Sequence, residues 1–244
     1  MRKRTAIGIL LTGVLSTACA PAEQHPVQPS AAAQTPAAVA VETTTRPHRA
    51  FDRTAHSTVD PASIWVVVNK KHPISPDYRP EITLVRGYQV ATPAAGPLAR
   101  LLDDSDRHGL GFKIASAYRS YGYQAGVYGN VVAASGQAAA DRVSARPGHS
   151  EHQTGLAVDL VTPAHPGCDF EQCFAHTVGG RWLARHAWSY GFVVRYQPGN
   201  ERVTGYSPEP WHLRYVGHPL AAELRRTHTD SLEELFGITG GDYR

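Results

Sequence analysis

Residues 156–161 read Leu-Ala-Val-Asp-Leu-Val, an apolar run of strand length with one carboxylate inside it. This run constrains the fold more than any other segment. Side chains alternate along a strand, so Leu156, Val158 and Leu160 face one side and Ala157 and Asp159 the other. A buried carboxylate is costly unless it is paired or bound to metal. His152 lies just before the run and could fold toward the face that carries Asp159. A neutral imidazole and a carboxylate are ordinary zinc ligands. A loop histidine beside an aspartate that caps a neighbouring element is the plainer alternative.

A second segment reads Pro208-Glu209-Pro210-Trp211-His212-Leu213-Arg214-Tyr215. Proline on both sides of Glu209 argues against a helix there. The helical zinc motif His-Glu-x-x-His is absent from the chain. Glu209 and His212 would therefore reach a metal from a loop entering a strand. His212 could supply a third ligand, and Glu209 could stand beside a metal-bound water without ligating. Taken alone, the segment is equally open to an exposed carboxylate and a core-edge histidine.

The chain is organised around these segments. Arg2, Lys3 and Arg4 precede the apolar stretch from Ala6 to Leu15, and small residues lead to Cys19. The stretch is too short to span a bilayer, so residues 1–18 read as an export signal. The signal resembles that of bacterial lipoproteins, in which Cys19 would carry the lipid. Secretion after Ala18-Cys19-Ala20 is the competing reading, with Pro21 unfavourable after the cut. Residues 19–60 are rich in Ala, Pro and Thr and read as a disordered tether. The formal net charge is +3, and three of the basic residues sit in the acid-free leader. The remainder is balanced, which gives no case for nucleic-acid binding.

Residues 61–236 read as one folded domain and 237–244 as a flexible tail. The apolar run Ile64-Trp65-Val66-Val67-Val68 opens the domain, and residues 69–94 look irregular because of their prolines. Leu98, Leu101 and Leu102 mark one face of a helix that Gly109 would end. Strands are expected at 112–117, 156–161, 192–196 and 212–216. Helices are expected at 121–140, 180–190 and 219–227. The elements mix without regular alternation, which predicts an α+β fold. Cys168 and Cys173 could close a small disulfide loop in an oxidising compartment, the favoured reading. They could also remain free thiols, and as a zinc site the pair is a weak signal.

Together the two motifs, Ser-x-His-x-x-Gly-x-Ala-x-Asp and Glu-x-Trp-His, resemble those of the VanY-type D-alanyl-D-alanine carboxypeptidases. These belong to the LAS metallopeptidases, a group that also includes lysostaphin-type enzymes and the hedgehog signalling domain. Ser116-Ala117-Tyr118-Arg119-Ser120 with Gln124 resembles the family's arginine segment. Trp182-Leu183 with Tyr190-Gly191-Phe192 resembles its later helix-to-strand turn, and residues 67–73 its domain start. The resemblance covers roughly residues 63–236. It implies a small antiparallel sheet flanked by helices, of the hedgehog/D,D-peptidase kind. It implies one zinc ion per chain, bound by His152, Asp159 and His212, with Glu209 as the catalytic base. Arg119 would stabilise the polarised carbonyl, and Gln124 and Ser150 would help hold the substrate's terminal residue. Trp211 could line the pocket or serve as a buried structural residue. His149 would be at most a supporting group near the metal.

The implied partner is a peptidoglycan stem peptide, acted on outside the cytoplasmic membrane by a lipid-anchored monomer that binds no nucleic acid. Release of C-terminal D-alanine is the leading expectation. An endopeptidase acting within the stem or cross-bridge is the second. A zinc-bearing binding module without turnover is the third, and Glu209 argues against it, because a pure binding site has no need of a base.

Overall fold

The computed structural model describes residues 50–243. The expected leader, Cys19 and the expected tether as far as residue 49 lie outside the described residues. Thirteen regular elements follow: β1 (Ile82–Val85), β2 (Tyr88–Ala91), α1 (Thr92–Arg107), β3 (Lys113–Ser116), α2 (Tyr121–Ser135), α3 (Gln137–Val143), β4 (Ala157–Val161), α4 (Val178–His186), β5 (Phe192–Tyr196), α5 (Glu201–Thr204), β6 (Glu209–Tyr215), α6 (His218–Thr227) and α7 (Leu232–Phe236). The fold is α+β. Its centre is a four-stranded antiparallel sheet of order β3-β4-β6-β5, with helices packed around it.

The alternation expected along residues 156–161 is present. Leu156, Val158 and Leu160 are buried in the main apolar cluster with Leu98, Leu101 and Leu102 of α1. Asp159 faces away from that cluster. The run Trp65 to Val68 joins no sheet, yet all four residues are buried. Val66 and Val68 enter the main cluster, while Trp65 and Val67 enter a second one with α6 and α7. An extended segment with alternating faces thus separates two cores.

Three features depart from the sequence reading. Residues 82–91, expected to be irregular, form the β1–β2 hairpin. Its two-residue turn places Arg86 at φ 49° and Gly87 at φ 87°, the double positive φ that tight hairpins require. The helix expected over 121–140 is split at Gly136, whose φ of 79° ends α2 and starts α3. Finally, packing extends beyond 61–236. Phe51 lies 5.4 Å from the Trp65 ring, and Arg53 donates to the Leu235 carbonyl. At the other end, Tyr243 accepts a hydrogen bond from the Arg146 backbone at 2.9 Å. Aromatic side chains in otherwise polar or glycine-rich segments supply this anchoring. Among the described residues, no helix is long and apolar enough to cross a membrane.

Candidate active site

Strand register alone brings two of the expected ligands together. β4 and β6 are antiparallel neighbours, and Asp159 is paired with His212. Directly paired residues project from the same face. His152 arrives from a 3₁₀ turn, Glu151–Thr154, in which its own N–H is capped by the Ser150 hydroxyl. Gly155 ends the turn at φ +69°, where a Cβ would lie 2.8 Å from the Ala91 nitrogen. A side chain fits neither that backbone conformation nor that space. Gly155 therefore permits the tight passage from the His152 turn into β4.

The three side chains converge. His152 Nε2 lies 3.1 Å from Asp159 Oδ2, and His212 Nδ1 lies 3.1 Å from Asp159 Oδ1. One ligand atom from each residue falls within 4.8 Å of the others, and all three residues are buried. Each imidazole is fixed by its other nitrogen. His152 Nδ1 faces the Ala117 carbonyl at 2.7 Å, which leaves Nε2 as the free lone pair. His212 Nε2 faces Glu151 Oε2 at 3.3 Å, which leaves Nδ1 toward Asp159. This is the pattern of metal-ligating histidines, whose outer nitrogen is held by a carbonyl or carboxylate.

The electrostatics fit a cation. Burial opposes ionisation of Asp159, but His152 and His212 hold its pKa well below the ordinary value. Asp159 Oδ1 is nonetheless buried without an aligned hydrogen bond among the described residues. Burial, reinforced by Arg119, brings His152 down to about 4, so it is neutral at pH 7. Burial also opposes protonation of His212, yet its contacts with Asp159 and Glu151 carry it up to about 9. The Nδ1 proton that Asp159 attracts stands where a metal would bind. Two imidazoles and one carboxylate are a donor set suited to zinc.

Glu209 opens β6, and its Oε2 lies 3.6 Å from His212 Nδ1. Burial raises its pKa to about 7 against the pull of His212 and Arg119. A carboxylate near neutrality is suited to taking and returning a proton. Arg119 follows β3 and donates from Nη1 to Ser116 Oγ at 3.3 Å. Its Nε is buried without a partner among the described residues. Burial lowers its pKa, while Asp159 and Glu209 support its charge. Arg119, Ser150, Trp211 and Glu209 line a cavity of about 490 Å³ with the three candidate ligands.

The family of D-alanyl-D-alanine carboxypeptidases named VanY matches residues 87–218, which hold every one of these side chains. The chain belongs to the VanY family. Membership places it among metallocarboxypeptidases. It is similar to YodJ of Bacillus subtilis, a protein named as a carboxypeptidase, with 34% identity over 188 residues. That match covers 72% of this chain and 68% of YodJ. The fold is similar to that of the LD-carboxypeptidase LdcB, with a TM-score of 0.67 and 33% identity over 73% of this chain and 88% of LdcB. It is also similar to a variant of the D,D-pentapeptidase VanY from a VanB-type vancomycin resistance cassette, solved with Zn(II). There the TM-score is 0.60 and the identity 33%, covering 69% of this chain and 96% of that one.

Other expected residues of this VanY-type domain take different places. Ser150 lines the cavity, but its hydroxyl is engaged by the His152 backbone. Gln124 is fully buried, and its Nε2 donates to the Ala145 carbonyl at 2.7 Å. It braces the segment after α3 and does not line the cavity. His149 turns away to the Asn69 carbonyl and the Tyr243 ring. Cys168 and Cys173 are joined in a disulfide.

Glu151 was missed by the motif reading, where it falls at a variable position. Its Oε1 accepts from Arg195 Nε and Arg214 Nη1, both at 2.8 Å, while Oε2 faces His212. Arg195 also makes a paired contact with Glu233, whose Oε1 accepts from Asn69 as well. Two carboxylates and two guanidiniums are thus buried together with balanced charge. A signal was available: Arg195 and Arg214 stand inside apolar strands, where a charge demands a buried partner.

Proposed function

We propose that this protein is a zinc carboxypeptidase that releases C-terminal D-alanine from peptidoglycan stem peptides. The convergence of His152, Asp159 and His212 in one cavity with Glu209 and Arg119 carries this reading. His152 Nε2, the Asp159 carboxylate and His212 Nδ1 would hold the metal. Bound zinc supplies a Lewis acid that acidifies a water and polarises the scissile carbonyl. Glu209 takes the proton of the attacking water and returns it to the departing amine nitrogen. Arg119 donates to the carbonyl oxygen as negative charge develops there. Ala117, through its carbonyl, and Glu151, through its carboxylate, keep the two imidazoles oriented.

The VanY neighbour solved with Zn(II) supports the choice of metal, and its designation as a D,D-pentapeptidase supports the substrate. The likeness to an LD-carboxypeptidase makes tetrapeptide the second substrate to try. Such a substrate calls for action outside the cytoplasmic membrane, to which the leader, Cys19 and the tether would deliver and anchor the domain.

The test follows product masses after zinc-loaded protein meets pentapeptide, tetrapeptide and cross-linked stem peptide. Loss of one alanine from the pentapeptide is expected. Loss from the tetrapeptide alone would reassign the bond as L,D. Internal cleavage of the cross-linked peptide alone would replace the carboxypeptidase reading with an endopeptidase one.

A further inference from the structure

The carboxypeptidase reading leaves one motif unused, the loop 168–173 closed by the Cys168–Cys173 disulfide. It is tied to both strands that carry the candidate metal ligands. Just past β4, the Thr162 backbone donates to Asp169 Oδ1 at 3.2 Å. Just before β6, Gln172 Nε2 donates to the carbonyl of Pro208, the neighbour of Glu209. Between these ties sits Phe170. Its ring meets that of Trp211 edge-on, with centroids 5.8 Å apart and planes at 72°.

Two features of Phe170 run against folding economy. It is 49% exposed, although it is a large apolar side chain. Its backbone has φ +60°, a conformation that residues other than glycine, asparagine and aspartate seldom adopt. Core packing explains neither feature. Both are accounted for by location, because Phe170, Glu171, Gln172 and Trp211 line the same cavity as His152, Asp159, Glu209 and His212. Backbone strain and exposed aromatic surface concentrate where a ligand binds. A short loop closed by a disulfide also has little freedom left to lose on binding.

We propose that the disulfide loop is a substrate-binding wall of the catalytic cleft, in which Phe170, backed by Trp211, packs against the stem peptide. Phe170 is a specificity residue that acts through binding, while Glu209 and Arg119 act on the reacting atoms. The inference rests on the carboxypeptidase reading and deepens it. The plainer alternative is a loop that only staples β4 to β6.

Steady-state kinetics on pentapeptide, with zinc content and thermal unfolding measured for each protein, separates the two. Phe170→Ala is expected to raise KM about tenfold, the scale of one partly buried aromatic contact, with kcat within about twofold. Phe170→Tyr is expected to restore KM. Cys168→Ser with Cys173→Ser, which frees the loop, is expected to raise KM in the same direction with zinc content retained. An unchanged KM in Phe170→Ala overturns the proposal, whatever happens to Tm or in the double cysteine variant. A fall in kcat at constant KM also overturns it, because the loop would then merely support Glu209. Failure of the native protein to release alanine from any stem peptide is a different result. It removes the carboxypeptidase reading, and this inference with it.

Discussion

Glu151 stands between two motif residues, Ser150 and His152, and carries the charge that ties the site to the rest of the protein. Glu151→Gln keeps the volume and removes the charge, which leaves Arg195 and Arg214 buried with only Glu233 to balance them. Unfolding free energy, measured by urea denaturation, is expected to fall by about 3–5 kcal/mol, the usual cost of breaking a buried pair. Zinc affinity, measured by competition with a chromophoric chelator, is expected to drop about 10–100-fold as His212 loses its orienting carboxylate. Burial opposes ionisation of Glu151, but Arg195 and Arg214 hold its pKa below the ordinary value of 4.5. Its stabilising contribution is therefore complete above that value and lost as pH falls below it. In metal-free protein, acid titration of stability is expected to show a loss below about pH 4.5 that is smaller in Glu151→Gln, where Asp159 alone of the two carboxylates still contributes.

At the scale of elements, the site is made by the β4–β6 pairing and the turn that enters β4. The sequence made β4 and its two faces legible, because an apolar run with one carboxylate admits few readings. It also made clear that Glu209 belongs to no helix. It left the start of β6 hidden. Prolines at 208 and 210 suggested a loop, yet Glu209 pairs with Tyr196 of β5 beyond the stretch that β4 covers. Pro210 is tolerated there, near the strand's first residue. The β1–β2 hairpin was missed because Arg86 occupies a turn position usually given to Asn, Asp or Gly. The backbone partner of Gln124 was not legible because it is a carbonyl 21 residues away, which no local pattern records. Gly155→Ala tests the entry turn. Its added methyl meets Ala91 at φ +69°, and a loss of about 1–3 kcal/mol in stability is expected, read by thermal unfolding.

At the scale of the molecule, the candidate ligands come from a turn and two strands that fold onto one sheet, so metal bound by them would be coupled to folding. Zinc at about one hundred times its dissociation constant stabilises the bound form by about 2.7 kcal/mol. Adding zinc to chelator-stripped protein is expected to raise Tm by roughly 5–10 °C, as seen by calorimetry. His152→Ala and Asp159→Ala are expected to abolish that rise. An equal rise in those variants would place the metal elsewhere.

In the proposed mechanism His152, Asp159 and His212 hold zinc while Glu209 performs the proton transfer beside it. Zinc content and pentapeptide turnover, measured on the same samples of native protein and Glu209→Gln, test it most directly. About one zinc per chain is expected in both, with kcat lower by about 10²–10⁴-fold in the variant. Native turnover in Glu209→Gln, or loss of its zinc, would contradict the division of roles between the ligands and the base.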